Sequence, residues 1–384
     1  MTFNKLTYED LGAQAAVSAF APADRIKEYH VMISVEGRAE TFSGQMDRLR
    51  RAEAAVRRSD MLARATVVFK RYFLTDSANQ VPVIRDGDRC TISFIQQAPL
   101  GGGSKVSLWL YMVEGAEVQY GADALNSTVV RHNGYEHIWT MGMMSTNGNS
   151  FVQTDALLND YESLLEERYM ANIAGNCIRT WFFVRDVDTN YAGLVVARRE
   201  NFEINGLTSY THYIASTGIG GSPSNTKALV QLGSYAVTGI KPGQQQYLYA
   251  LSHLNRTIEY GVTFERGTRV KFGDRSHLYI SGTASIDNKG QVLHVGDVGK
   301  QTLRMWENVE KLLEEGGATY QDVAQIIVYL RDVADYPLVN KMFAERFPDI
   351  PFVITLAPVC RPAWLIEMEC IAITSDNNPE YRDF

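Results

Sequence analysis

The sequence predicts an α+β protein built of three tandem units, each a mixed sheet with helices packed on one face. Three repeated features predict it: a Gln that opens a helical pattern, a strand-like run that ends in an aromatic residue, two further residues and Asp, and a later apolar strand. The chain has 384 residues, 45% of them apolar and 21% charged, the balance of a folded protein large enough for several domains.

Residues 1–25 read as an N-terminal extension. The first unit spans 26–118 and is the most degenerate. Its helix starts at Gln45, with Leu49 and Val56 four and eleven positions on, offsets that share one helix face. The run Ala65 to Leu74 follows, rich in the β-branched and aromatic residues of a sheet core, and leads into Phe73-Leu74-Thr75-Asp76. Gly101-Gly102-Gly103 is a tight loop before the last strand, Lys105 to Val113.

The second unit, 132–240, opens on a hairpin strand, His137-Ile138-Trp139-Thr140-Met141-Gly142. Its helix carries Gln153, Leu157, Tyr161, Leu164 and Leu165, its central strand is Cys177 to Val184 ahead of Asp186, and its last strand is Leu229 to Val237. A connector, 241–263, leads to the third unit, 264–376. There the hairpin His277 to Gly282, the helix with Gln301, Met305, Val309, Leu312 and Leu313, the strand Val323 to Leu330 ahead of Asp332, and the final strand Leu365 to Ile373 repeat the second unit without a gap in the last strand. The Gln-to-Asp distances are 31, 33 and 31 residues. The polar tail, 377–384, is expected to fray.

Composition excludes several function classes. The net charge of -7 makes the average surface repel phosphate backbones, so nucleic acid is not an expected partner. No run approaches 18 apolar residues and the first residues lack a signal peptide's basic head and apolar core, which points to a cytoplasmic chain without a membrane span. In that compartment the sequons at Asn126 and Asn255 carry no meaning. Four cysteines without CxxC spacing and seven histidines without HExxH predict neither disulfides nor a metal site.

The third unit resembles the Rid family (YjgF, endoribonuclease L-PSP) through Ser281-Gly282-Thr283-Ala284, Gly296-Asp297 before Gln301-Thr302, Asn308, Asp322-Val323, Asp332, Asn340 and Leu365-Ile366-Glu367-Met368-Glu369. The resemblance implies chorismate-mutase-like units that trimerise with ligand pockets between neighbours. Three units in one chain then form a monomeric pseudo-trimer, with a true homotrimer as the alternative. The family's deaminases place an Arg some fifteen residues before the Glu matched by Glu367, where this chain has Phe352 and Val353. Chorismatases look like fused members of this superfamily, and their signature is similar to Cys360-Arg361-Pro362-Ala363-Trp364-Leu365-Ile366-Glu367. Arg179-Thr180-Trp181, Ala197-Arg198-Arg199-Glu200-Asn201-Phe202 and Ala215-Ser216-Thr217-Gly218-Ile219-Gly220 resemble them more briefly. This implies a cofactor-free hydrolase that removes pyruvate from the enol ether of chorismate, with Glu367 as proton donor. A Cys before the Arg, as Cys360 here, implies the 3-hydroxybenzoate branch. The alternative function is a Rid-type ligand-binding protein or imine/enamine deaminase.

The residues support this chemistry on their own terms. Leu365, Glu367, Glu369 and Ile371 share one strand face, so two carboxylates stand side by side in an apolar run. Desolvation and a like charge both raise a carboxyl pKa, as a general acid near neutrality requires, whereas contact with Arg361 would lower it. A structural ion pair on an edge strand is the competing account. A dicarboxylate substrate calls for guanidinium forks, and Arg361, Arg179 and one of Arg198 and Arg199 are the candidates. The last two are neighbours on a helix and point about 100° apart, so only one can face a pocket, and Arg199 is preferred. Ser216, Thr217 and Gly218 complete the expected binding set. Cys360 is a candidate catalytic thiol, with a pocket-lining or core thiol as the alternative.

Overall fold

The computed structural model describes residues 1–121 and 127–384, and the Asn126 sequon lies outside the described residues. In chain order the first sheet uses β1 (Thr2–Tyr8), β2 (Ala13–Phe20), β3 (Lys27–Val35), β4 (Thr66–Leu74) and β5 (Thr91–Gln96), then skips the short β6 (Ala98–Pro99) and ends with β7 (Val106–Glu114). Its helices are α1 (Phe42–Arg57) and the single turn α2 (Ser77–Gln80). The second sheet holds β8 (Glu117–Tyr120), β9 (Ser127–His132), β10 (Tyr135–Met144), β11 (Cys177–Val184), β12 (Ala215–Gly220) and β13 (Val230–Thr238), with α3 (Ser150–Tyr169), α4 (Ile173–Asn176) and α5 (Val187–Ile204). The third holds β14 (Gln245–Leu248), β15 (Gly267–Lys271), β16 (Arg275–Ala284), β17 (Val323–Leu330), β18 (Phe352–Leu356) and β19 (Ile366–Ser375), with α6 (Val298–Glu315) and α7 (Tyr336–Arg346), and takes β6 as its edge.

One order recurs, β3-β7-β4-β5, β10-β13-β11-β12 and β16-β19-β17-β18, antiparallel except for the final parallel pair. The repeated Gln has a physical reason. Gln45, Gln153 and Gln301 each turn inward from the first turn of their helix and accept a hydrogen bond from the backbone just before the last strand, at Lys105 N (2.7 Å), Leu229 N (2.7 Å) and Leu365 N (2.9 Å). Each thereby fixes the helix against the strand it covers. Asp76 and Asp332 cap the next helical turn through their side chains, whereas Asp186 sits at a left-handed φ and makes no such bond.

Three expectations are corrected. Residues 2–20 are two strands of the first sheet; Ala13, Ala15, Val17 and Ala19 are buried beside α1 residues such as Leu49 and Ala52, and an alanine-rich strand lacks the β-branched signal that would have marked it. Within the segment read as a connector, β14 pairs with β15. The tail is held down: Phe384 is buried between His137, His277 and Phe272, and its backbone N donates to Asp274 (2.8 Å).

The ring closes within the chain. Unit one meets unit two at the Gln96–Ser222 bridge, unit two meets unit three at the Ala215–Glu265 and Ile219–Val359 bridges, and unit three returns to unit one where β18 pairs with β6. The sheets turn their helix-free faces to a common axis lined by Trp109, Trp139, Trp181, Tyr235 and Tyr279. Among the described residues no helix is long and apolar enough to cross a membrane.

Candidate active site

Strand β19 runs through the middle of its sheet, between β16 and β17, so its carboxylates are not those of an edge strand. Alternation puts Glu367 and Glu369 on the face turned to unit two, and both are buried, at 5% and 1% exposure. Their surroundings separate their roles. Glu369 accepts from Arg179 Nη2 (2.8 Å), Trp181 Nε1 (2.8 Å) and Thr217 Oγ1 (2.5 Å), three donors that fix its position. Glu367 has no hydrogen-bond or ion-pair partner among the described residues and opens on a cleft. Burial pushes its pKa up to about 8, the charge of Glu369 adds to the rise, and Arg179 and Arg266 oppose it.

The cleft lies at the seam between units two and three and is a narrow cavity of about 30 Å³. Unit two supplies Tyr191 and Arg198 from α5 and Ser216, Thr217 and Gly218 from β12; unit three supplies Gly282 from β16, the Cys360 to Trp364 loop and Glu367. Gly282 is required here, because a Cβ would come within 2.3 Å of Glu367 Oε1 and 3.0 Å of Thr217 Cγ2. Its N–H donates to Thr217 Oγ1 (2.9 Å), the hydroxyl that also holds Glu369. One threonine thus ties the two units together behind the acid.

Arg198 is 1% exposed, lies 5.8 Å from the Phe182 and Phe264 rings, and spends one nitrogen on Ser216 Oγ (3.4 Å); its Nε and Nη2 have no partner among the described residues. Arg266 is also buried, over Tyr260 at 5.3 Å, and donates only to the backbone and side-chain oxygens of Asn255. Neither meets a carboxylate among the described residues. The cleft therefore combines two uncompensated cations with an acid that stays protonated at neutral pH.

The structure gathers some of the sequence candidates and disperses others. Ser216, Thr217, Gly218, Cys360, Arg361 and Glu367 line the cleft. Arg361 is exposed, stacked over Tyr260 (5.1 Å) and Trp364 (5.4 Å), and makes no ion pair with Glu367, so it does not hold that acid ionised. Arg199 is exposed on the outside of α5, and Arg198 takes the place expected of it. Arg179 stands behind the cleft, bound to Glu369, and does not line it. Burial pushes the Cys360 thiol up to about 12, with the charge of Glu367 next, and no His is among the lining residues; this is a neutral wall, not a thiolate nucleophile. Sequence reading missed Tyr191, Tyr260 and Arg266. The two last stand in or just after the segment taken for a connector, where only the aromatic spacing around Phe264-Glu265-Arg266 hinted at a packed element.

Residues 269–374 match the family model described as Endoribonuclease L-PSP. A RutC family protein of Pyrococcus abyssi is 35% identical over 97 residues, which cover 25% of this chain and 76% of that protein. The chain belongs to the Rid/YjgF (endoribonuclease L-PSP, RutC) family. The 3-aminoacrylate deaminase RutC of Acinetobacter baylyi is 39% identical over 72 residues, 19% of this chain and 57% of that enzyme, so the match spans little more than half the deaminase. The crystal structure of a chorismatase superposes with a TM-score of 0.63 and 18% identity over 92% of this chain and 99% of the other. At that identity the likeness is one of fold, and it extends the Rid architecture from the matched third unit to the three-unit ring.

Proposed function

We propose that the chain is a chorismatase-like hydrolase acting in the cytoplasm on the enol ether of chorismate. The observation that carries the reading is the pairing of a protonated, unbonded Glu367 with the buried Arg198 and Arg266, neither of which meets a carboxylate among the described residues, in one cleft. A neutral acid beside two guanidinium groups that lack carboxylate partners suits a dianion that must be protonated on carbon. Arg198 and Arg266 would take the two carboxylates, with Arg361 at the mouth. Glu367 gives its proton to the enolpyruvyl methylene carbon, whose C=C pair forms the new C–H bond and leaves a cation at the ether-bearing carbon. Water adds there and loses a proton back to Glu367, the C–O bond to the ring breaks with proton transfer to the ring oxygen, and pyruvate leaves. Burial, and next the charge of Glu369, keep the proton on Glu367 between turnovers. Of the two product outcomes, a dihydroxy-cyclohexadiene acid by water attack or a hydroxybenzoate by an internal route, the Cys360-Arg361 pair favours the 3-hydroxybenzoate type by resemblance.

A second reading rests on the likeness to the deaminase: the same acid could protonate an enamine carbon. Against it, Phe352 and Val353 occupy the strand position where the resemblance calls for an Arg. Purified protein with chorismate should release pyruvate, read by coupled reduction to lactate. Ammonium from 2-aminoacrylate without pyruvate from chorismate would favour the second reading, and neither product would leave a ligand-binding protein. Because the ring closes within one chain, light scattering should return the 43.0 kDa chain mass; three times that mass would mean a true trimer.

A further inference from the structure

Strands β4, β11 and β17 hold equivalent places in the three sheets and meet along the pseudo-threefold axis. Their cross-strand partners set the levels: Arg71 opposite Trp109, Trp181 opposite Gly233 and Ile327 opposite Glu369 share one level; Phe73, Phe183 and Tyr329 share the level two residues on. Arg71 has 0% exposure, and its guanidinium lies 5.0 to 5.1 Å from the Trp109, Trp181 and Phe183 rings. None of its three nitrogens has a hydrogen-bond partner among the described residues, and the nearest carboxylate atom, Glu369 Oε1, is 3.9 Å away. Arg179 Nη1, the Tyr329 hydroxyl and both amide atoms of Gln325, on the same face of β17 as Tyr329, are likewise buried without a partner.

The charges do not balance. Arg71 and Arg179 bring two cations to this interior, while Glu369 brings one anion already committed to Arg179, Trp181 and Thr217. Arg stays protonated in proteins, so an excess positive charge stands in a medium that penalises it. Water could satisfy the hydrogen bonds but not the charge.

We propose that a single monovalent inorganic anion of halide size binds on the axis, held by Arg71 of unit one, Arg179 of unit two and the Tyr329 hydroxyl of unit three. It would be a tie to which each unit contributes one donor, separate from the cleft, which none of these three residues lines. The proposal stands whether or not chorismate is the substrate.

The test uses the full chain prepared in sodium gluconate. Replacing gluconate by chloride or bromide at constant ionic strength should raise the melting temperature saturably, and crystals grown in bromide should show an anomalous peak within about 3.5 Å of the Arg71 nitrogens, the reach of a charge-assisted contact. Tyr329→Phe removes one donor and keeps the shape; it should raise the halide concentration for half-effect by about tenfold, the worth of one hydrogen bond to a charged group. Arg71→Leu, where it folds, should melt independently of halide. A melting temperature indifferent to halide, or a halide response with no bromide on the axis, would overturn the proposal.

Discussion

The seam between units two and three and the seam between units one and two are built from equivalent strands and end in opposite states. In the first, Glu367 of β19 faces a cleft walled by α5. In the second, the equivalent residue is Gln231 of β13, as its pairing with Phe183 matches that of Glu367 with Tyr329, and Gln231 Nε2 donates to Ser93 Oγ (3.2 Å) with both side chains buried. The helix that would stand off to make room is reduced in unit one to the single turn α2. The third seam, between units three and one, keeps a groove of about 420 Å³ beside α7 but has Ser107 in the acid's place and no arginine in its lining. A site thus needs a full second helix from one unit and an acid from the next, and one seam has both.

The sharpest way to break the contrast is to remove the acid. Glu367→Gln gives the open seam the residue type of the closed one, and on the proposed function turnover should fall by roughly 10²- to 10⁴-fold, the usual worth of a general acid. Since Glu367 is neutral up to about pH 8, the amide should leave the melting temperature near its parent value at pH 7. A variant that turns over at the parent rate removes Glu367 from the mechanism.

Next in size is the buried arginine, a residue type absent from the lining of the third seam's groove. Arg198→Met should lower kcat/KM by about 2 to 5 kcal/mol, the range for deleting one partner of a buried charge contact. The same change should raise the melting temperature of the unliganded protein, because it removes a buried charge without a carboxylate partner. Activity and stability moving in opposite directions would mark Arg198 as a binding group; falling together, they would mark it as structural.

The pH dependence probes the neighbour that sets the acid. The rate should hold through neutrality and fall as pH rises through about 8, where Glu367 ionises. Its folded pKa lies above the ordinary 4.5, so between about 4.5 and about 8 the unfolded chain binds fewer protons at this residue and its contribution to stability is lost as pH rises. Glu369→Gln deletes the like charge and frees Arg179, and both changes should move the alkaline limb to lower pH. An unmoved limb would mean that burial alone sets the proton.

Much of this was legible in the chain. The strands Cys177–Val184 and Val323–Leu330 match the sequence reading at both ends, since their runs are rich in β-branched and aromatic residues. The equivalence of Gln231 and Glu367 followed from an ungapped repeat, and the carboxyl pair from simple alternation. What stayed hidden was long-range. Arg266 enters the cleft because the ring folds one unit's edge over the next, and Arg179 is drawn away by Glu369, 190 residues on. Neither fact is local, and the alanine-rich β2 shows that burial of one whole face can replace propensity.

The smallest expected effect concerns the one local choice that failed. Arg198 and Arg199 are adjacent on α5, and motif likeness alone favoured the second. The helix itself held the answer: Val187, Tyr191, Leu194, Arg198 and Phe202 fall at i, i+4, i+7, i+11 and i+15, a continuous inward stripe, and Arg199 lies a hundred degrees off it. A charged residue on an apolar stripe is either a costly defect or a group waiting for an anion, and in the structure it is buried at the cleft while its neighbour is solvated. Arg199→Ala should therefore change kcat/KM by less than about twofold and stability by no more than about 0.5 kcal/mol, as for an ordinary surface substitution. Measured beside Arg198→Met, it separates the charge of the pair from its position: a large loss for both would mean that total positive field, rather than the fork aimed into the cleft, draws the substrate in.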